Sequence, residues 1–241
     1  MKDMFYPKLN RRNPYLTKKN GKFYVYSRYR TEIAEDCLQR CVYCDAHEDE
    51  VGGASAMELD HFRPSSLAPF VNLKNDPTNL VYSCGSCNGL KHDAWPALGT
   101  AGTFIGNDGF IDPFDVDRLK YFAIRSNGRI QGKRPPASYI IGLLGLDRKF
   151  MRRLRQRRRL MAQVVALAAE AKGSSRGKGR KRSRASAQSK AVRLVVKLAK
   201  LEKRRLNIIH RLLAALASSS DCRDFRIKPR SDAISFQKKI N

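Results

Sequence analysis

The chain has 241 residues, 42% of them hydrophobic, and carries 48 lysines and arginines against 22 aspartates and glutamates, a formal charge of +26. That apolar content is enough to bury a core and excludes a wholly disordered chain, and the length suits one domain with an appendage or two small ones. The charge exceeds what solubility needs and points to a polyanionic partner, nucleic acid first, while saying nothing about chemistry.

The opening residues, MKDMFYPKLNRRNPYL, lack the apolar run of a signal peptide, and nowhere do about eighteen apolar residues run together, so the expectation is a cytoplasmic protein without a membrane span. KFYVYS at 22–27 follows an Asn20-Gly21 turn and reads as a short strand. TEIAEDCLQR, with Ile33, Cys37 and Leu38 at helical spacing, predicts a helix leading into Cys41-Val-Tyr-Cys44. Most of the polar motifs lie from there to about Asp93. Beyond them, YFAIRSNGRIQGK predicts a hairpin turning at Ser126-Asn127-Gly128, since Asn-Gly favours the positive φ of a tight turn. From Ala137 the pattern is helical, and FMRRLRQRRRLMAQVVALAAEA reads as one long helix with Phe150, Leu154, Met161, Val164 and Val165 toward a partner surface. The Gly/Ser/Lys/Arg-rich stretch 173–187 has no apolar periodicity and predicts a mobile loop. A second helix, roughly Gln188 to Ala217, carries Val192, Val195, Leu198, Leu206, Ile209 and Leu213 and would pair with the first as an antiparallel hairpin. The remaining residues read as irregular, and no internal repeat is visible.

Four of the six cysteines fall in two Cys-x-x-Cys pairs, Cys41/Cys44 and Cys84/Cys87, a spacing that suits tetrahedral zinc in a reducing compartment and cross-links the two ends of the intervening segment. Plain buried cysteines or a redox pair would leave the doubled spacing unexplained. His47 offers a substitute ligand that the site does not need, and Cys37 and Cys222 have no assigned role.

Between the knuckles lie Glu58-Leu59-Asp60-His61-Phe62-Arg63-Pro64 and Asp76-Pro77-Thr78-Asn79-Leu80-Val81-Tyr82, and the second knuckle opens into Cys87-Asn88-Gly89-Leu90-Lys91. This order of Cys-x-x-Cys, Asp-His, Asn-Leu and Cys-x-x-Cys-Asn-x-x-Lys resembles the HNH (ββα-metal) endonucleases over roughly residues 38–95. The resemblance implies two antiparallel strands and a helix gripping a divalent cation. It gives His61 the deprotonation of water, which an imidazole titrating near neutrality can perform. Asp60 and Asn88 become oxygen ligands of Mg²⁺ or Mn²⁺, and Asn79 a support that holds the loop or orients His61. Many relatives have histidine where Asn88 stands, so the pattern here is His-Asn-Asn. His92, at i+4 from Asn88, ranks second as a ligand, and Lys91 is a candidate contact to the scissile phosphate. Adjacent strand residues point to opposite faces, so Asp60 and His61 share a site only if the strand ends or bends there, as Arg63-Pro64 allows.

The implied fold is α+β: a small ββα-metal core with structural zinc, a β-hairpin and a C-terminal long-helix hairpin. Its divisions are an N-terminal strand and helix arm at 1–37, the nuclease core at 38–112, a hairpin and connecting helix at 113–146, a basic helical hairpin at 147–218 and a tail at 219–241. Arg63 and the dense set Arg152, Arg153, Arg155, Arg157, Arg158 and Arg159 are candidate contacts to DNA, expected to be double-stranded. CLQRCVYCDAHEDEVGG, ELDHFRP, Trp95-Pro96 and Ile111-Asp112-Pro113-Phe114 further resemble the HNH nuclease subunit of Septu-type anti-phage systems, which implies an ATPase partner docked on the C-terminal helices. Against this stand a non-catalytic zinc-ribbon protein that binds nucleic acid and a subunit that scaffolds a complex. Neither needs His61.

Overall fold

A computed structural model describes residues 4–173 and 189–196. The chain divides into two compact units, Met1–Arg159 and Leu160–Asn241.

In the first unit the expected strand at 22–27 does not form. Thr17 and Phe23 make a single antiparallel bridge, and Tyr26–Tyr29 is a turn of 3₁₀-helix. The reason is the buried Tyr29, whose hydroxyl donates to Leu16 O (2.7 Å) and accepts from Tyr24 N (3.0 Å). Backbone groups that would otherwise seek a strand partner are satisfied by one side chain. Helix α1, Arg30–Asp36, forms as expected, with Ile33 and Asp36 buried. Arg12 Nε (2.9 Å) and the Tyr15 hydroxyl (2.6 Å) donate to Asp36 and so tie the N-terminal arm to α1. The helix ends sooner than the apolar spacing implied, because Leu38 and Gln39 take positive φ, and Leu38 turns outward. Helix α2, Glu48–Val51, carries a capping box: His47 Nδ1 accepts from Asp49 N (3.3 Å) and Glu50 accepts from His47 N (2.8 Å). His47 is therefore a helix cap.

Strand β1, Met57–His61, pairs antiparallel with β2, Leu80–Cys84, in a register that sets Met57 opposite Cys84 and His61 opposite Leu80. All five residues of β2 are buried, and helix α3, Gly85–Lys91, follows it directly and packs on both strands. These three elements are the ββα core. Strands β3, Phe104–Ile105, and β4, Asp108–Gly109, make a minimal hairpin. Trp95 joins the layers, stacked on Phe110 at 6.0 Å and meeting Phe62 edge-on at 5.3 Å.

The second expected hairpin is present as β5, Phe122–Ile124, and β6, Ile130–Gly132. Gly128 has φ +77°, and a Cβ there would sit 2.2 Å from the Arg152 carbonyl oxygen, so no other residue fits this turn. Helix α4, Ala137–Leu143, packs on β6, and the long helix α5, Lys149–Gly173, follows.

The arginines at the start of α5 have a different use from the one their density implied. Arg155 is fully buried and donates to Gly128 O (3.1 Å) and Leu146 O (2.7 Å). Arg158 reaches the first knuckle loop, donating to both the carboxylate and the carbonyl of Asp45 and to Glu50 (2.5 Å). Arg152 bonds Asp147 (2.6 Å), and Arg159 donates to Ile124 O (3.3 Å) while lying over the Phe5 ring. Buried carbonyls and carboxylates need donors, and here guanidinium groups supply them. Arg155 and Arg158 are thus corrected from nucleic-acid contacts to internal struts, Arg157 is half-buried, and Arg153 is exposed. Arg155→Met should cost about 2–4 kcal/mol, because two carbonyls lose a charged donor. Chemical denaturation reads that loss, and DNA affinity should not move with it.

Of the α5 positions expected toward a partner surface, Leu154 is buried in the first unit, while Phe150 and Val165 are more than half exposed. In the second unit Val164 is buried with Val195, against Leu160, Met161 and Leu194, and residues 189–196 are helical. Beyond Gly173, which closes α5, the proposed loop at 173–187, the apolar positions Leu198, Leu206, Ile209 and Leu213, and the tail lie outside the described residues. Among the described residues no helix is long and apolar enough to cross a membrane.

Candidate metal centre and active site

The two knuckles come together. The Sγ atoms of Cys41, Cys44, Cys84 and Cys87 all lie within 4.8 Å of one another, and all four residues are buried. A tetrahedral zinc with sulfur at about 2.3 Å needs sulfur–sulfur edges of about 3.8 Å, and Cys44 and Cys84 stand 3.8 Å apart. The first pair sits on a turn that Asp45 closes at φ +63°, with Asp45 N donating to Cys41 O (2.8 Å) and Cys41 N to Ala46 O (2.8 Å). The second pair spans the junction where β2 becomes α3. Hydrogen bonds from Cys41, Cys44 and Cys87 hold the Cys84 thiol well below the usual range, so the cluster favours at least one thiolate. The donor set fits zinc, which binds sulfur as thiolate and would supply folding energy. Cys37 is buried apart from the cluster, and burial pushes its thiol up to about 12.

Beside this cluster, at the end of β1, opens a cleft of about 340 Å³ lined by Glu58, Asp60, His61, Pro64, Ser65, Ser66, Gly85, Asn88, Gly89, His92 and Asp93. Asp60 and His61 both line it at the end of β1, which stops at His61 and gives way to a bend at Phe62 and Arg63. His61 Nε2 lies 2.8 Å from the carbonyl oxygen of Lys74. A carbonyl only accepts, so Nε2 carries the hydrogen and Nδ1 is left with the basic lone pair. The Tyr26 ring meets the imidazole edge-on at 5.1 Å, and Tyr26 N donates to Asn75 Oδ1 (3.1 Å), beside Lys74. The N-terminal arm thus helps to seat His61.

Asp60 is buried, accepts from the Tyr43 hydroxyl (2.5 Å) and pairs with Lys91 Nζ (3.2 Å), which also donates to His61 O (3.0 Å). Burial raises the Asp60 carboxyl above its usual range, against the pull of Lys91 and of the Tyr43 hydroxyl. Lys91 is therefore not the surface phosphate contact that its spacing allowed. It is about 1% exposed, turned inward beneath Asp60 because a buried carboxylate needs a countercharge.

The other expected residues fall as follows. Asn79 brackets the backbone of Arg63, donating to its carbonyl and accepting from its N–H, each at 2.9 Å. It clasps the loop that follows β1 and does not line the cleft. Asn88 donates through Nδ2 to Glu58 (2.5 Å), which leaves its amide oxygen for another partner. Arg63 is half-buried, with its guanidinium 5.7 Å from the Trp95 ring centre. His92 lines the cleft but is not on a continuing helical face, because α3 closes at Lys91 and His92 takes φ 43°; its Nδ1 lies 3.4 Å from Asp93. Glu58 is the residue that spacing alone left without a role. It stands two positions before Asp60 on the same strand, and alternation puts both on one side of the sheet.

Glu58, Asp60 and Asn88 bring hard oxygen donors to one wall of the cleft and His61 an imidazole. Such a set fits Mg²⁺ or Mn²⁺. No curated protein and no solved structure matches the chain. The family model of the HNH endonucleases matches residues 41–94, from the first thiolate of the cluster past the last residues of the cleft, so that this segment is similar to an HNH endonuclease domain.

Proposed function

We propose that the chain is a metal-dependent endonuclease that hydrolyses phosphodiester bonds of double-stranded DNA in the cytoplasm. The observation that carries the reading is the meeting, in one cleft, of an imidazole with a defined basic nitrogen and the oxygen donors of Glu58, Asp60 and Asn88. His61 Nδ1 takes a proton from a water, which attacks phosphorus as the bond to the 3′ oxygen breaks. The Lys74 carbonyl holds the hydrogen on Nε2 and so stabilises the imidazolium that forms. A bound Mg²⁺ or Mn²⁺, held by Asp60 and Asn88 with Glu58 beside them, would supply charge stabilisation on the phosphate. Lys91 opposes the burial that raises the Asp60 carboxyl, and Asn79 keeps the loop after β1 in place.

The same reading extends to a setting: an effector nuclease of an anti-phage system, released by an ATPase partner on the C-terminal helices. It rests on the likeness to Septu-type subunits, and the exposed Val165 supplies apolar surface on the second unit's part of α5 for such a partner. Supercoiled plasmid should pass to open-circle or linear form with Mg²⁺ or Mn²⁺, alone or with the co-purified ATPase. His61→Ala should lower the rate by about 10²- to 10⁴-fold. Tight DNA binding with intact zinc and no conversion under any condition would leave a non-catalytic binding protein.

A further inference from the structure

The cleft itself is poorly charged for holding a polyanion. Its walls include Glu58, Asp60 and Asp93 and no lysine or arginine, so the cations that bind the substrate backbone have to come from neighbouring segments. The arginines of α5 are largely engaged inside the protein. A second source lies in the N-terminal arm, where residues 11–30 include seven basic residues and no acidic one.

We infer that the loop Leu16–Phe23 is a docking finger for the phosphate backbone of the DNA whose scissile bond lies at His61. The inference rests on the nuclease reading and adds the place where the flanking duplex is held. Arg11, Arg12 and Arg30 are occupied within the protein, by the carbonyls of Pro77 and Leu80, by Asp36 and Glu35, and by the carbonyls of Ala54 and Met57. Lys18, Lys19 and Lys22 are different: every residue from Leu16 to Phe23 is exposed. Their loop is nevertheless built. Lys18 N donates to Lys22 O (2.8 Å), Gly21 N donates to Lys18 O (2.9 Å), and Gly21 supplies φ +76°.

The base of the loop is fixed beside the active site. Thr17 pairs with Phe23, and the buried Tyr29 hydroxyl ties Leu16 to Tyr24. Two residues on, Tyr26 touches His61. Four residues of chain span at most about 14 Å, so the Lys22 backbone lies within about four base-pair steps of the Tyr26 backbone along a duplex that rises 3.4 Å per step. Phe23 and Val25, both exposed, give the finger apolar surface suited to sugar edges.

The test is DNA binding by the full, zinc-loaded chain in a His61→Ala background, with and without Lys18→Gln/Lys19→Gln/Lys22→Gln. Fluorescent duplex DNA is titrated across a salt series. With about 0.9 counterion released per neutralised phosphate, the slope of log affinity against log salt should shallow by about 2 to 3, and affinity at physiological salt should fall about 10- to 100-fold. Unchanged zinc content and melting temperature certify the fold. Because binding is read without cleavage, a shallower slope supports the finger even where the plasmid assay fails. An unchanged slope and affinity overturn it even where plasmid is cut, and tighter binding of duplex RNA than of DNA overturns the choice of substrate.

Discussion

Replacing Cys87 with serine, or stripping the metal with a strong chelator, should abolish cooperative folding of the unit that contains the ββα core. Cys87 is fully buried and belongs to the four-sulfur cluster, and β2, α3 and the turn at Cys41–Cys44 are joined there. The regular structure within the segment bridged by the cluster, 45–83, is a two-stranded ladder, the four-residue helix α2 and short 3₁₀ turns. A two-stranded sheet is marginal by itself. Structural zinc in small domains contributes about 10–16 kcal/mol of apparent binding energy at neutral pH, more than most domains possess as net stability. Metal analysis of the purified chain should return stoichiometric zinc that Cys87→Ser lacks, and near-ultraviolet circular dichroism should lose its aromatic signal. Cys37→Ala should keep the zinc, since Cys37 is buried outside the cluster. A Cys87→Ser chain that melts like the wild type would show the cluster to be ordinary packing.

Lys91→Met carries the next largest effect. Its ammonium is wholly enclosed and has the Asp60 carboxylate and the His61 carbonyl as partners. Removing one member of a buried pair leaves the other uncompensated and typically costs about 3–5 kcal/mol. For a unit of this size that corresponds to a fall in Tm of about 10 °C. The methionine fills most of the volume, so the loss reports charge and hydrogen bonding rather than a cavity. Asp60→Asn combined with Lys91→Met should recover part of the loss, because the penalty of each single change is the stranded partner. Denaturant titration of the three variants reads both effects. A Lys91→Met protein of unchanged stability and weakened DNA affinity would instead return Lys91 to the phosphate-contact role that its spacing first indicated.

The fold of the core was legible because metal ligands and short turns are local chemistry. Cys-x-x-Cys puts two thiols on one turn whatever surrounds it, Asn127-Gly128 closes a hairpin by its own φ preference, and the 30–36 segment shows its helix by the spacing of its apolar residues. Failures occurred where one distant side chain outweighed local propensity. KFYVYS has strand character, yet the Tyr29 hydroxyl satisfies backbone groups around it, and among the described residues its pairing is limited to the single Thr17–Phe23 bridge. α1 stops at Asp36 and α3 at Lys91, shortly before the positive φ of Leu38 and of His92, residues whose type does not announce it.

Of the candidate site, the sequence by itself determined the residue types, their order and the chemistry they allow: four thiols for zinc, and an imidazole beside oxygen donors for a phosphate. Only the tertiary structure decided direction. Lys91 and Arg155 look in sequence like any other exposed cations, and they turn inward because Asp60 and the Gly128 and Leu146 carbonyls are buried there and need donors. Glu58 joins the cleft through Asn88, thirty residues away, and Tyr26 reaches His61 from outside the matched domain. Composition counts charges, but whether a charge faces water or a buried partner depends on long-range packing, since desolvation is set by what the fold places around it.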